Sequence, residues 1–277
     1  MCEFCARHGE GRKWYLSVVN YSEELYREVT RWSISDAVSA LAGLSDGRVL
    51  PSPLQESLWR HAPRIVRWIA RRYQQDIHWG QVVPIEDALQ IVDMLDWVVR
   101  LPCVCRGQTI GNSDVRYCFG IGVTALEGPM RQRFQEIIDR SLSLEALTKE
   151  QAREALTDLD ERGAMHTIWT FKSPFIGCIC NCDRDCGAYR AQMLHGYQVM
   201  FRSEYVARID PDRCGGCRRC MRQCLFGAIT FSLAQSRCVV NEETCYGCGV
   251  CRGACQREAI TLLPRIAVPV AARRWGL

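Results

Sequence analysis

Apolar residues recur about every three to four positions through much of the first two hundred residues, which is the spacing of one face of an α-helix. Residues 22–42 show this pattern first, with Ser22 in the N-cap position and Glu23-Glu24 in the first turn. It predicts further helices over residues 53–78, from Pro84 onward, over 128–142 and over 148–162. We therefore expect a mainly helical domain over residues 1–200.

The remaining chain has a different pattern, in which short β-branched or apolar runs are separated by glycine-rich and cysteine-rich loops. These runs predict four strands, over Tyr205–Ile209, Ile229–Ser232, Cys238–Val240 and Ile260–Leu263. We place them in a second domain over residues 201–277. Together the two regions predict an α+β protein.

Eight cysteines of the second region fall in two runs with the same spacing, C-x2-C-x2-C-x3-C. The runs are Cys214–Cys224 and Cys245–Cys255, and the second follows the first by 31 residues. The match continues beyond the cysteines, since Ala228-Ile229-Thr230 corresponds to Ala259-Ile260-Thr261. Such a repeat indicates two copies of one unit, each too short to bury a core alone. The spacing is typical of ligands to iron–sulfur clusters.

In these two runs, residues 203–264 resemble the bacterial two-cluster [4Fe–4S] ferredoxins. The resemblance implies a ferredoxin-like domain with a pseudo-twofold axis, in which each cluster takes three cysteines from one run and the last cysteine from the other. One cluster would then be bound by Cys214, Cys217, Cys220 and Cys255. The other would be bound by Cys245, Cys248, Cys251 and Cys224. The chain departs from the family pattern after each run, where Leu225 and Gln256 stand in place of proline.

Seven more cysteines lie upstream in two groups, the first with Cys103, Cys105 and Cys118, the second with Cys178, Cys180, Cys182 and Cys186. Seven thiols in groups centred on C-x-C are more than buried free cysteines usually account for, so they predict an additional metal site. The best ligand set is Cys103, Cys105, Cys180 and Cys182, with Cys118 or Cys186 as substitutes. An iron–sulfur cluster and zinc both suit these thiolates.

A smaller group, Cys2, Cys5 and His8, has the spacing C-x2-C-x2-H and suits zinc or the edge of a cluster, with free thiols as the alternative. Together with P-C-x-C-R and C-N-C-x3-C upstream of the repeat, this start resembles an uncharacterised family of bacterial and archaeal cysteine-rich iron–sulfur proteins. The resemblance covers most of the chain. It implies another cluster but no particular reaction.

The composition of the chain bears on its cellular location and on its class of partner. The chain has 18 cysteines, and its first residues lack the basic and apolar segments of a signal peptide, so we expect a cytoplasmic protein whose reduced thiols bind metal. It has no apolar run long enough to span a membrane. The net charge of +4 comes from scattered arginines, so we expect a redox partner protein but no nucleic acid.

These patterns favour an electron-transfer protein that passes electrons through two [4Fe–4S] clusters to or from a partner enzyme or an additional N-terminal cluster. One alternative is an oxidoreductase whose N-terminal cluster itself reduces a substrate. Another is a redox-sensing regulator that binds DNA through the helix–strand segment 144–171. No G-x-G-x-x-G after a strand and no P-loop is present, so nucleotide or flavin binding is unsupported. The sequence identifies no substrate and leaves open whether the chain is itself an enzyme.

Overall fold

The computed structural model describes residues 12–30, 62–66, 68, 69, 72, 78–111, 115–123, 136 and 144–274. The group Cys2, Cys5 and His8, the helix predicted over 128–142 and most of the one predicted over 53–78 lie outside the described residues. The helices with described bounds are α1 (Glu23–Thr30), α2 (Ile85–Met94), α3 (Val104–Ile110), α4 (Lys149–Glu161), α5 (Gly187–Met193) and α6 (Arg219–Gln223). The first seven strands are β1 (Gly80–Val83), β2 (Trp97–Leu101), β3 (Cys118–Gly122), β4 (Glu145–Leu147), β5 (Met165–Thr170), β6 (Ile176–Cys182) and β7 (Met200–Phe201).

These seven strands form one sheet in the order β4-β2-β3-β6-β5-β1-β7. All neighbours are antiparallel except β1 and β7, which are parallel. The prediction of a mainly helical N-terminal domain is therefore wrong, although the α+β class agrees with the mixture of helices and sheets. The central strands are buried on both faces, as in β5, where every residue is buried. Such strands lack the alternation of apolar and polar residues that identifies a strand in a sequence.

Two of the predicted helices pack on one face of this sheet. Helix α4 begins with the capping box of Thr148, whose Oγ1 accepts from Gln151 N at 3.2 Å while Gln151 Oε1 accepts from Thr148 N at 2.9 Å. Helix α2 follows Pro84, as predicted. Apolar side chains of both helices meet the sheet residues Val98, Phe119, Ile121, Ile168 and Ile179. This face is an ordinary apolar core.

The opposite face of the sheet carries the thiols of Cys118, Cys178, Cys180 and Cys182, and we call it the cysteine face. Helix α5 covers part of it. Further along the chain, residues of the cysteine repeat pack into the same buried cluster, among them Leu225, Phe226, Tyr246, Cys248 and Val250. The repeat and the sheet thus share one core.

The four strands predicted in the repeat are present as β8 (Tyr205–Ile209), β9 (Ile229–Ser232), β10 (Arg237–Val240) and β11 (Ile260–Pro264). They pair antiparallel as β8 with β11 and β9 with β10. Each pair joins a strand from one copy of the repeat to a strand from the other copy. The two copies therefore interlock, which accounts for the need of two short units to fold together.

Among the described helices, none combines the length and the apolar character that crossing a lipid bilayer requires.

Candidate metal centres

The two ligand runs begin with equivalent turns. Asp210 Oδ1 accepts from Asp212 N at 2.9 Å, and Asn241 Oδ1 accepts from Glu243 N at 3.1 Å. Each turn is also bonded to the other copy, since Asp210 N donates to Ala259 O at 2.8 Å and Asn241 N donates to Ala228 O at 2.7 Å. The sequence repeat is thus also a repeat of hydrogen bonds, and it fixes where each run starts.

Backbone N–H groups point at several of the predicted ligand sulfurs. Ala228 N lies 3.3 Å from Cys224 Sγ, and Ala259 N lies 3.3 Å from Cys255 Sγ at the equivalent place. Cys245 Sγ accepts from the N–H groups of both Ala207 and Gly247, each at 3.4 Å. Such donors stabilise a thiolate, which is the form that binds iron, so these loops fit an iron–sulfur cluster.

Both runs need glycine two residues after their first cysteine. Gly216 and Gly247 have φ angles of +67° and +70°, which other residues rarely adopt. A Cβ on Gly247 would lie 2.0 Å from Tyr205 O, and one on Gly216 would lie 2.5 Å from Ser236 O. Each ligand loop therefore passes directly against a neighbouring backbone segment.

Thiols of one copy of the repeat also interact with thiols of the other copy. Burial raises the pKa of Cys251 well above its usual value, and the thiols of Cys248, Cys245, Cys224 and Cys220 add to this effect. Burial, together with the neighbouring thiols of Cys245 and Cys224, raises the pKa of Cys248 to about 12. On the other side, Cys220 interacts with Cys214 and Cys255. Cys224 thus interacts with thiols of the second run and Cys255 with a thiol of the first, and the ligand sets that the resemblance implies stay a prediction.

The two groups of thiols differ in exposure. Cys245, Cys248 and Cys251 are buried, and Cys248 belongs to the core shared with the cysteine face. Cys217 of the first run is exposed, while Cys214 and Cys255 are half-buried. The group Cys224, Cys245, Cys248 and Cys251, which we call the interior group, therefore lies mostly inside the protein. The group that includes Cys217 is open to solvent.

Strand geometry gathers the upstream cysteines. Cys178, Cys180 and Cys182 alternate along β6, so their side chains leave the same face, and Cys118 of β3 is directly paired with Cys180. Helix α3 brings Cys103 at its N-cap and Cys105 in its first turn. The loop before α5 brings Cys186. In β6 the period of the strand alone aligns the sulfurs of the C-x-C segments.

All seven of these thiols are joined by contacts into one group, which we call the upstream thiol group. Sulfur–sulfur distances are 2.9 Å between Cys182 and Cys186 and 3.5 Å between Cys178 and Cys180. The remaining hydrogen-bonding contacts join Cys105 to Cys186, Cys103 to Cys105, Cys118 to Cys103 and Cys180 to Cys118. The group includes the predicted set Cys103, Cys105, Cys180 and Cys182, both substitutes Cys118 and Cys186, and Cys178, which the predicted site omitted.

The upstream thiol group extends along several elements rather than surrounding one point. Among the described residues, no three His, Cys, Asp or Glu side chains are arranged to hold a single metal ion. A [4Fe–4S] cluster takes its four thiolates around a cube of iron and sulfide, so its ligands need not converge on one atom. A buried group of free thiols fits that donor set.

A buried arginine completes this group. Arg106 is 2% exposed; its Nη1 donates to Cys103 Sγ at 3.2 Å, and its Nη2 lies 2.8 Å from Asp183 Oδ1. Its guanidinium also stands over the Tyr117 ring at 4.4 Å. Hydrogen bonds from Cys105 and Cys118, together with the charge of Arg106, hold the pKa of Cys103 well below its usual range. Sequence reasoning gave Arg106 no role, although it follows directly in the P-C-x-C-R segment.

A network of buried polar groups lies where β1 meets the second ligand run. Arg265, fully buried, donates from Nε to Ser203 O at 2.6 Å and from Nη2 to Cys245 O at 2.8 Å. Beside it, Glu204 is 3% exposed and accepts from Gln81 Nε2 at 3.4 Å. Burial raises the pKa of Glu204 to about 7.

Glu204→Gln is expected to stabilise the protein above neutral pH. The folded carboxyl holds its proton up to a higher pH than the unfolded one, so the wild type loses stability as pH rises from about 4.5 to 7, by up to about 3 kcal/mol. The amide has no proton to lose, so the thermal midpoints of variant and wild type should agree at pH 5 and diverge by pH 8. Glu154→Gln, on exposed α4, should show no such divergence. A constant offset at both pH values would contradict the raised pKa.

Residues 206–229 match a family model described as a 4Fe-4S binding domain. The match covers most of β8, the whole first ligand run and the first residue of β9. No curated protein matches the chain. The chain therefore contains an iron–sulfur region of the [4Fe–4S] type in its C-terminal part, with at least one cluster, and this supports a role in electron transfer.

Proposed function

We propose that this protein passes electrons through two [4Fe–4S] clusters in the interlocked repeat and a third iron–sulfur cluster in the upstream thiol group. Residues 201–277 would hold the first two with the ligand sets that the resemblance implies. The upstream cluster would be held by Cys103, Cys105, Cys180 and Cys182, with Cys118 and Cys186 as the nearest substitutes. Bound in such sites, iron–sulfur clusters accept and release electrons at potentials set by charge, sulfur hydrogen bonds and burial.

The observation that carries the proposal is the single buried core that contains thiols of both regions. Cys178, Cys182 and Cys186 of the upstream thiol group pack in the same cluster as Cys248, and Cys224 lies at its border. Cys224 and Cys248 belong to the interior group of the repeat. Two of the interior thiols therefore share a core with the upstream thiol group, which supports their use as successive sites of an electron relay.

Hydrogen bonds from two side chains join the region of the sheet to the repeat. Arg184, placed between Cys182 and Cys186, donates from Nη2 to Arg222 O at 3.0 Å and to Cys224 O at 3.4 Å. Tyr189 of α5 donates its hydroxyl to Leu225 O at 2.7 Å. Leu225 stands where the two-cluster ferredoxins have proline, and here it is buried against the sheet domain. This departure from the family pattern therefore serves the contact between the two regions.

Aromatic packing keeps water out of this junction. The rings of Phe226 and Tyr246 are stacked at 3.8 Å between centroids, and the Tyr246 hydroxyl accepts from Gln192 Nε2 at 2.5 Å. Gln192 also accepts from Val199 N and Met200 N, at 2.9 Å and 2.8 Å. A dry and rigid junction limits the reorganisation that accompanies a change of charge at neighbouring sites.

Metal analysis after anaerobic purification tests the proposal. Three clusters predict about twelve irons and about twelve sulfides per chain, since each [4Fe–4S] cluster contributes four of each. About eight irons would contradict the third cluster and leave the repeat unaffected, and a zinc found with them would belong to the upstream thiol group only if Cys180→Ala removed it. Fewer than about four irons in a fully folded protein would contradict the relay as a whole.

A further inference from the structure

The first ligand run lies at the surface, and arginines surround it. Cys217 is exposed, and so are five arginines in or beside the run and its neighbouring turn: Arg213, Arg218, Arg219, Arg222 and Arg257. We call these residues, with Cys217, the arginine surface. The second run has no such surface, because Cys245 through Val250 are buried.

Two of these arginines are held against the ligand loop. The guanidinium of Arg218 stands over the Phe231 ring at 3.8 Å. Arg257 covers Gly215, with its Cζ 2.6 Å from the position that a Cβ would take there. Both charges therefore stay beside Cys217 rather than extending freely into solvent, and a side chain at position 215 would displace one of them.

Acidic residues compensate only part of this charge. Glu258 pairs with Arg213 at 3.3 Å, and both side chains are exposed. Asp212 is exposed, while Asp210 accepts backbone N–H groups of its turn. Arg218, Arg219, Arg222 and Arg257 outnumber these acids, so the surface carries a positive field around the exposed end of the repeat.

An exposed apolar side chain lies beside the charges. Leu233 in the turn between β9 and β10 is 83% exposed, and Ser236 in the same turn is the residue whose carbonyl lies against Gly216. A small apolar contact within a charged rim is typical of weak and transient protein interfaces. The turn thus adds a contact point next to Cys217.

We propose that the arginine surface is the docking site of an acidic one-electron carrier protein, which exchanges electrons with the protein at the Cys217 end of the repeat. This rests on the proposed relay, because it assigns the relay an outer end. Opposite charge would steer the carrier to the exposed thiol and speed its arrival, and the interior group would connect that end to the upstream thiol group.

Nucleic acid is the other class of partner that positive charge attracts. The arginines do not follow a groove, and the helix that carries two of them has only five residues, too few to track a phosphate backbone. Four of them lie within five positions of the exposed Cys217 in the chain, and Arg257 packs on Gly215 of the same loop. Positive charge beside an exposed ligand cysteine is useful for electron exchange with a carrier, whereas binding of a phosphate backbone does not require such a cysteine. We therefore assign the surface to a protein carrier and treat nucleic acid binding as an outcome of the test.

The test compares two charge-reversed variants of the whole, cluster-loaded protein. Arg219→Glu/Arg222→Glu reverses two charges of the arginine surface on α6. Arg27→Glu/Arg153→Glu reverses an exposed arginine on α1 and a half-buried one on α4, outside the repeat, with the same change in net charge. The probe is flavodoxin hydroquinone, a small acidic carrier that loses one electron for each electron the protein gains, followed by stopped-flow absorbance at several salt concentrations.

We expect the second-order rate with wild type to fall steeply as salt rises. At low salt, the α6 variant should react at least about tenfold more slowly, and the control variant within about twofold of wild type. Dithionite should reduce all three proteins to the same extent, which shows that their clusters are intact. Equal flavodoxin rates for both variants, with normal reduction by dithionite, would overturn the docking site while leaving the relay in place.

Two other outcomes separate the hypotheses further. If dithionite reduces none of the proteins, the relay itself fails, and the docking site with it. Binding of duplex DNA by wild type that is lost in the α6 variant, with unchanged flavodoxin rates, would overturn the proposal in favour of nucleic acid. Conversely, salt-dependent flavodoxin rates without DNA binding would support the carrier.

Discussion

Cys248→Ala is expected to remove about four of about twelve irons and to lower the thermal midpoint by about 10 °C or more. The Cys248 thiol is buried, lies near Cys245 and Cys224, and belongs to the core shared by the repeat and the sheet. Because an iron–sulfur site stabilises only the folded chain, its loss removes binding free energy that otherwise opposes unfolding. The measurement is iron content together with anaerobic thermal unfolding at a fixed scan rate.

Cys238→Ala is the matched control. Cys238 lies in the same domain on β10, is 2% exposed and contacts the thiol of Cys220, but it is in neither ligand run. Because the sulfur is packed in the core, its loss should lower the free energy of unfolding by about 1 to 2 kcal/mol and leave the iron content unchanged. Full iron content in Cys248→Ala would exclude Cys248 from the ligands. Equal iron loss in both variants would attribute the effect to packing rather than ligation.

The repeat could be predicted from the sequence because its determinants are local. Turns at Asp210 and Asn241, glycines at positive φ and short strands each act within a few residues. The same units occur twice, so each strand assignment was supported by the other copy. The four strands followed from that pattern, while the assignment of Cys224 and Cys255 to the opposite runs stays a prediction of the resemblance.

The sheet could not be predicted in the same way, because its strands are defined by distant partners. Strand β6 contacts β3 and β5, and the order β4-β2-β3-β6-β5-β1-β7 crosses the chain repeatedly. In β6 every second residue from Cys178 to Cys182 is a cysteine, and this segment was interpreted as metal ligands and not as a strand. The alternation itself was a usable signal, since period two places Cys178 beside Cys180, the contact that the prediction missed.

Arg106 illustrates a role that only tertiary structure reveals. Its charge is surrounded by groups from four places: Cys103 in its own helix region, Tyr117 before β3, Asn181 in β6 and Asp183 after it. No spacing in the sequence relates these residues. The four groups meet around Arg106 only because the fold brings β3, β6 and α3 together.

Arg106→Met is expected to lower the free energy of unfolding by about 1 to 3 kcal/mol, which corresponds to a fall of about 5 °C in the thermal midpoint, because Asp183 keeps 36% of its side chain in contact with solvent. The variant leaves Asp183 without its buried partner and removes the donor to Cys103 Sγ. Because Arg106 helps to hold the pKa of Cys103 down, we also expect the upstream thiol group to lose its metal, about four irons if it holds a cluster.

Arg153→Met is the control for this ion pair. Arg153 binds Asp93 at 2.7 Å, a distance similar to that between Arg106 and Asp183. Both side chains of the Arg153 pair are in contact with solvent, so its loss should lower the free energy of unfolding by less than about 1 kcal/mol. Arg106→Lys keeps the charge without the planar fork and should recover part of the midpoint. A lower midpoint with full iron content would make Arg106 purely structural. Loss of iron at an unchanged midpoint would instead show that its charge acts on the thiolates, independently of the stability of the surrounding sheet.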